Sequence, residues 1–142
     1  MKKILIMGLP GSGKTTLASK LVPLLKAKWI NNDEARKAVN DWDFSEKGRL
    51  RQAKRMADLA EKYRKEGHYK YLIADYICPT AKTRGLFGAD YLIWVDTIKK
   101  GRFEDTNKIF EAPENHEVDY TVNYKNADFY KYIIVDKIEE YK

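Results

Sequence analysis

The sequence predicts an α/β fold, a mostly parallel sheet flanked by helices, and three observations carry that prediction. An apolar run, Lys2 to Met7, feeds straight into Gly8-Leu9-Pro10-Gly11-Ser12-Gly13-Lys14-Thr15-Thr16, a complete G-x-x-x-x-G-K-[ST] loop. Leu17, Leu21, Leu24 and Leu25 follow at helical spacing, giving strand, loop and helix in the order this motif requires. Strand-like and helix-like stretches then alternate along the rest of the chain, the pattern of parallel β-α-β units.

The loop predicts nucleotide phosphate binding by residues 8–16. Its glycines let the backbone approach an anion with successive N–H groups pointing inward, and the helix that follows adds its positive dipole end. Lys14 would reach the β- and γ-phosphates of ATP, and the Thr15 hydroxyl would ligate Mg²⁺. Pro23 lacks an N–H and is expected to kink or end this first helix.

The remaining elements follow in order. Lys28 to Asp33 reads as a short strand ending in a carboxylate, and Glu34 to Asn40 as a brief helix. Ser45 opens a long helix to about Lys65, with Leu50, Ala53, Met56, Ala57 and Ala60 on one face and Gly67 as its stop. Tyr69 to Ile77 is an apolar strand closed by Pro79, Thr80 to Phe87 a short helix, and Tyr91 to Asp96 a further buried strand. Val118 to Val122 is the last strand. Ala127 to Lys142 is read as helix, although residues 130–135 are also good strand material. Ligands of such sheets bind beyond the carboxyl ends of the strands, where Asp33, Asp75 and Asp96 fall.

At 142 residues the chain is expected to form one domain spanning residues 1–142. No stretch approaches the roughly 18 apolar residues of a membrane span, and the start reads as strand and loop instead of a signal peptide, so the expectation is a cytoplasmic protein. The single cysteine, Cys78, excludes an intramolecular disulfide and a cysteine metal cluster, and reads as a packed residue at a strand end. A net charge of +6 suits anionic ligands, but the Lys and Arg residues are interspersed with acids, which argues against nucleic acid as a partner. His68 and His116 are isolated from any second ligand at metal spacing.

A P-loop names the nucleotide and leaves the second substrate open. Asn32-Asp33-Glu34-Ala35-Arg36, Asp43-Phe44-Ser45-Glu46-Lys47-Gly48-Arg49, Asp75-Tyr76-Ile77-Cys78-Pro79 and Phe110-Glu111-Ala112-Pro113-Glu114-Asn115 together resemble the adenylylsulfate (APS) kinases, which read D-G-D-N-x-R, G-F-S-x-x-D-R, S-F-I-S-P and Y-E-A-P-E-N in the same order. The resemblance implies a P-loop kinase-like three-layer sandwich that moves the γ-phosphate of ATP to the ribose 3′-hydroxyl of APS. It implies that Arg36 and Arg49 hold the sulfate and phosphate, that Phe44 and Phe103 sandwich the adenine, and that Ile77 lines the pocket. Gln52 stands where the family has an Asn that hydrogen-bonds APS. Asp33 would orient or deprotonate the attacking hydroxyl, also through a Mg²⁺-bound water. Core packing is the alternative for both phenylalanines, and a helix N-cap before Glu34 the alternative for Asp33. The family commonly dimerises, which leaves a homodimer open.

The chain also departs from that pattern. Asn31 and Asn32 replace the first acid and the glycine of D-G-D. Asp75 replaces a small residue and is expected to serve as the missing Mg²⁺-water ligand. Most of the family's lid is absent between Thr97 and Arg102, which predicts leakier ATP hydrolysis or slower transfer unless Lys99, Lys100 or Arg102 substitutes. Two other functions stay open: a related kinase acting on a nucleoside or a polynucleotide 5′ end, and a nucleotide-binding module without catalysis.

Overall fold

The computed structural model describes residues 1–141. β1 (Lys2–Met7) lies at the centre of a five-stranded sheet with β2 (Lys28–Asn31) and β3 (Tyr71–Asp75) to one side and β4 (Tyr91–Val95) and β5 (Tyr120–Val122) to the other, in the order β2-β3-β1-β4-β5. Every pairing is parallel, with Ile4 opposite Ile73 and Tyr91. Successive residues of a strand face opposite sides, so a strand covered on both faces must be apolar throughout, as residues 4–7 are.

Ile4 and Ile6 pack with Leu17 and Leu21 of α1 (Lys14–Leu25) and Ile134 and Ile138 of α6 (Ala127–Glu140). Leu5 and Met7 pack on the other face with Met56 of α3 (Glu46–Glu66), Ala35 of α2 (Asn32–Val39) and Phe87 of α4 (Ala81–Phe87). The result is the three-layer sandwich that the sequence predicts. Connections leave β1 first toward β3 and β2, then cross to β4 and β5, which makes the carboxyl end of β1 a topological switch point where ligands bind. The P-loop occupies that end. No helix among the described residues is long and apolar enough to cross a membrane.

Several boundaries differ from expectation for local reasons. Pro23 sits inside the last turn of α1 without breaking it, and the helix stops where Lys26 turns left-handed and its N–H reaches the Pro23 and Val22 carbonyls. β2 ends at Asn31, not Asp33, because the Asn31 side chain accepts the Glu34 N–H at 3.1 Å and starts α2. Asp33 therefore lies within the helix, and Asn31 is its cap. β3 begins at Tyr71 instead of Tyr69 and ends at Asp75, since Cys78 takes a left-handed φ of 47° as the chain turns into α4. On α3, Ala53, Met56 and Ala60 are buried as expected, but Leu50 and Ala57 are half-buried, and Arg49 and Gln52 occupy the inward face of its first turns. α6 ends at Glu140, and Lys142 lies outside the described residues. α5 (Glu104–Ile109) and a 3-10 turn at Asn115–Glu117 were not foreseen, because neither stretch has an apolar period.

Candidate active site

The phosphate loop is shaped by contacts below it and by the helix it opens. Gly8 passes so close to β4 that a Cβ would stand 2.6 Å from the Val95 carbonyl oxygen. Gly13 caps α1 with φ 105°, a conformation that L side chains rarely adopt. The Lys14 Nζ donates to the Leu9 carbonyl at 2.9 Å and so lies folded over the loop that should receive phosphate. Burial pushes the Lys14 ammonium down to about 8, with Asp75 and Asp33 pulling it up and Arg102 pushing it further down.

Beneath the loop, Asp75 ends β3 almost wholly buried. It accepts hydrogen bonds from Thr15 Oγ1 at 2.9 Å, Asn31 Nδ2 at 2.8 Å and Trp29 Nε1 at 3.2 Å. Burial raises its pKa, and the three donors work against that rise. Asn31, which takes the place of an acid in the resemblance, thus donates to the carboxylate expected to replace that acid. No cluster of three or more His, Cys, Asp or Glu residues capable of caging a metal occurs among the described residues. A hydroxyl beside a buried carboxylate is nonetheless a hard-oxygen donor set suited to Mg²⁺, which keeps most of its waters and takes the rest of its shell from phosphates.

Two cavities flank the loop, and Gly11, Lys14 and Thr15 line both. One, of about 420 Å³, runs between residues 11–17 and the chain from Val122 to Ala127 ahead of α6, with Tyr124 at its rim. Gly11 to Thr16 on this side were expected to bind nucleotide, but the sequence reading assigned nothing to the wall from Val122 to Ala127, whose only signal is that residues 123–126 follow the carboxyl end of a strand.

The other, of about 440 Å³, gathers Asp33, Phe44, Arg49, Asp75, Ile77 and Phe103, six of the residues expected there. Phe44 and Phe103 are 48% and 50% exposed, which rules out the core-packing alternative for both. Trp42, equally exposed, adds a third aromatic wall that the sequence reading missed, because nothing in its neighbourhood marks it as inward-facing. Arg49 is anchored by its Nε to the Phe44 carbonyl at 2.8 Å and by its NH2 group to Thr106 Oγ1 at 3.3 Å.

Arg36 and Gln52, expected to bind substrate, line neither of these two cavities. Arg36 is buried and its NH1 group donates to the Asp41 and Asp43 carbonyls at 2.9 and 3.3 Å, with the guanidinium 4.6 Å from the Phe44 ring centroid. Gln52 is buried and donates to Asn32 Oδ1 at 2.9 Å. Both side chains thus bond segments that lead into the second cavity. Arg51 and Arg55 brace the same 41–43 loop through Asp41, whose carboxyl their hydrogen bonds hold well below the usual carboxylate range. Gly48 completes the brace, since a Cβ there would stand 2.2 Å from the Asp43 carbonyl oxygen. Asp96, also expected near a strand end, lines neither cavity.

A phosphate loop on a parallel sheet, with cavities on both sides of its lysine, defines a P-loop nucleotide-binding protein. Residues 4–86 match the family described as AAA domain, and the chain belongs to it. It is 33% identical over 87 residues to a probable adenylyl-sulfate kinase of Aeropyrum pernix; the match takes in 57% of this chain and 46% of the relative, so the chain spans about half the length of the curated relative it matches. The fold is that of an APS kinase from Mycobacterium tuberculosis in complex with AMPPNP and APS, with a TM-score of 0.79 and 21% identity over 98% of each chain. A sugar kinase from Janibacter (TM-score 0.75, 14% identity, 98% of this chain and 95% of that one) and the shikimate kinase of Acinetobacter baumannii in complex with shikimate (0.64, 17%, 100% and 95%) share it.

Proposed function

We propose that the chain is an adenylylsulfate kinase, which transfers the γ-phosphate of ATP to the ribose 3′-hydroxyl of adenosine 5′-phosphosulfate and releases ADP and 3′-phosphoadenylylsulfate. The observation that carries this reading is the acceptor-side cavity: two half-exposed phenylalanines, Phe44 and Phe103, share its lining with Arg49, Lys14 and Asp33. Exposed aromatic faces suit a base, and a guanidinium fork suits a sulfate or phosphate. The sugar and shikimate kinases of the same fold act on acceptors that offer no base to stack, so the aromatic walls favour a nucleotide acceptor. The resemblance to adenylyl-sulfate kinases in sequence and fold points the same way.

In this mechanism ATP lies over the loop with its base in the cavity rimmed by Tyr124, and its γ-phosphate reaches Lys14 between the two cavities. Bound at Thr15, with Asp75 and Asp33 reaching it through water, Mg²⁺ would neutralise charge on the β- and γ-phosphates. Asp33 accepts the hydrogen bond of the 3′-hydroxyl and aims its oxygen at phosphorus. The bond from that oxygen to the γ-phosphorus forms while the bond to the β,γ-bridging oxygen breaks, and the electron pair leaves on ADP. The hydroxyl proton passes to Asp33 and then to solvent. Little of the work is proton transfer; most is positioning and charge neutralisation.

Steady-state kinetics of Phe44→Ala test the acceptor assignment. Stacking is worth about 1–3 kcal/mol per base, so the KM for APS should rise roughly 5- to 150-fold with the KM for ATP unchanged. An unaltered KM for APS would remove the base from that wall.

A further inference from the structure

The residues between β4 and α5 do not hang free as a short remnant of a lid. They form a strap that meets the phosphate loop at two points and is tied to α5 at a third. Thr97 Oγ1 donates to the Ser12 carbonyl at 2.6 Å. Gly101 presses on the loop so closely that a Cβ would lie 3.0 Å from Pro10 Cδ and 3.2 Å from its carbonyl oxygen. The Asn107 side chain then grips Gly101 from α5, accepting its N–H at 2.8 Å and donating to its carbonyl at 2.9 Å.

The next residue is Arg102. Its guanidinium sits 5.1 Å from the Phe103 ring centroid, and it lines the acceptor-side cavity together with Lys14, Thr15 and Asp33. Arg102 is exposed and appears in none of the ion pairs among the described residues. Lys99 and Lys100, the other cations of the strap, are exposed and line neither cavity. A cation in no ion pair among the described residues, carried on a clamped backbone and lining the same cavity as the phosphate-loop lysine, is arranged to meet negative charge there.

We propose that Arg102 is a catalytic residue that bonds the transferring phosphoryl group, so that a fixed strap supplies the cation which a moving lid would otherwise bring. The proposal rests on the phosphotransfer reading but not on which hydroxyl is the acceptor. Charge builds on the bridging oxygen that leaves with ADP and spreads over the three equatorial oxygens of the phosphoryl group; a guanidinium fork can bond two of these at once. Because Gly101 is clamped, the group needs no closure step to arrive, and its contribution falls on the transition state more than on either bound substrate.

The test compares wild type, Arg102→Ala, Arg102→Gln and a Lys100→Ala control in two measurements: steady-state kinetics with Mg·ATP and APS, and calorimetric binding of ADP with Mg²⁺ and aluminium fluoride against ADP with Mg²⁺ alone. The expected result is a kcat at least about a hundredfold lower in both Arg102 variants with both KM values within threefold, a similar loss of fluoride-dependent tightening, unchanged ADP binding and a normal Lys100→Ala. An unchanged kcat, a loss confined to the KM for APS, or a fluoride complex as tight as in wild type would overturn the proposal. If wild type transfers nothing to APS yet tightens with fluoride in an Arg102-dependent way, the acceptor reading fails and the role of Arg102 stands.

Discussion

Asp75 takes hydrogen bonds from Thr15, Asn31 and Trp29 in a buried setting that raises its pKa, so its negative charge is retained at a cost in desolvation. Replacement by Asn separates charge from structure. The amide oxygen can receive the Asn31 and Trp29 donors while the Thr15 hydroxyl turns round to accept from the amide nitrogen. The melting temperature of Asp75→Asn should therefore match or exceed that of wild type, while the Mg²⁺ concentration for half-maximal turnover rises about tenfold or more, as for other groups that orient a metal through its outer shell. Unaltered Mg²⁺ dependence would leave Asp75 a structural residue only. The place of this residue beside the phosphate loop was legible in the sequence, because it ends the apolar strand of a parallel sheet and departs from the small residue of the resembled pattern. The placement of Arg36 and Gln52 was not, because a matched residue type does not say which of its neighbours the side chain bonds. Trp42 was not legible for the converse reason, since it matches no motif and its orientation is set by the Arg36, Arg51 and Arg55 bonds that fix residues 41–43.

At the scale of elements, the loop between α2 and α3 presents Phe44 to the cavity, and the first turn of α3 holds that loop. Ser45 caps the helix by accepting the Gly48 N–H at 3.2 Å, and its own N–H donates to Asp43 Oδ1 at 2.9 Å. Asp43 thereby fills the space that a side chain at residue 48 would need, with its Cγ 2.5 Å from where a Cβ would stand. Gly48→Ala gains helix propensity worth about 1 kcal/mol, yet the collision with backbone outweighs it. The variant should melt several degrees below wild type and bind APS more weakly than it binds ATP, by thermal denaturation and calorimetry. A higher melting temperature would mean that the loop yields easily. The sequence showed α3 through Ser45 and Gly67 and showed the central strands through unbroken apolar runs, because those signals are local. It did not show α5, whose Glu104, Asp105, Asn107 and Lys108 carry no apolar period and whose Asn107 earns its place by a grip on Gly101. The end of β2 shifted because a single side-chain bond from Asn31 captured the next residues for a helix.

Over the whole molecule, parallel strands bring the ends of β1 and β3 and the β5–α6 loop to one edge, so that one lysine faces two cavities formed by segments far apart in sequence. In the proposed reaction that arrangement joins a nucleotide on one side to a hydroxyl acceptor on the other. The alternation of apolar runs made the architecture readable, and the phosphate loop made one substrate readable. The partition into two cavities was not, since it depends on how loops 97–102 and 123–126 pack, and no spacing encodes that. The central claim is that the aromatic-walled side receives adenylylsulfate. ADP release from Mg·ATP, measured alone and with APS, adenosine or a 5′-hydroxyl oligonucleotide, and with Lys14→Ala as the blank, tests it most directly. The account predicts strong stimulation by APS alone, with 3′-phosphoadenylylsulfate as the product; stimulation by another acceptor, or none from a protein that still binds ATP, would contradict it.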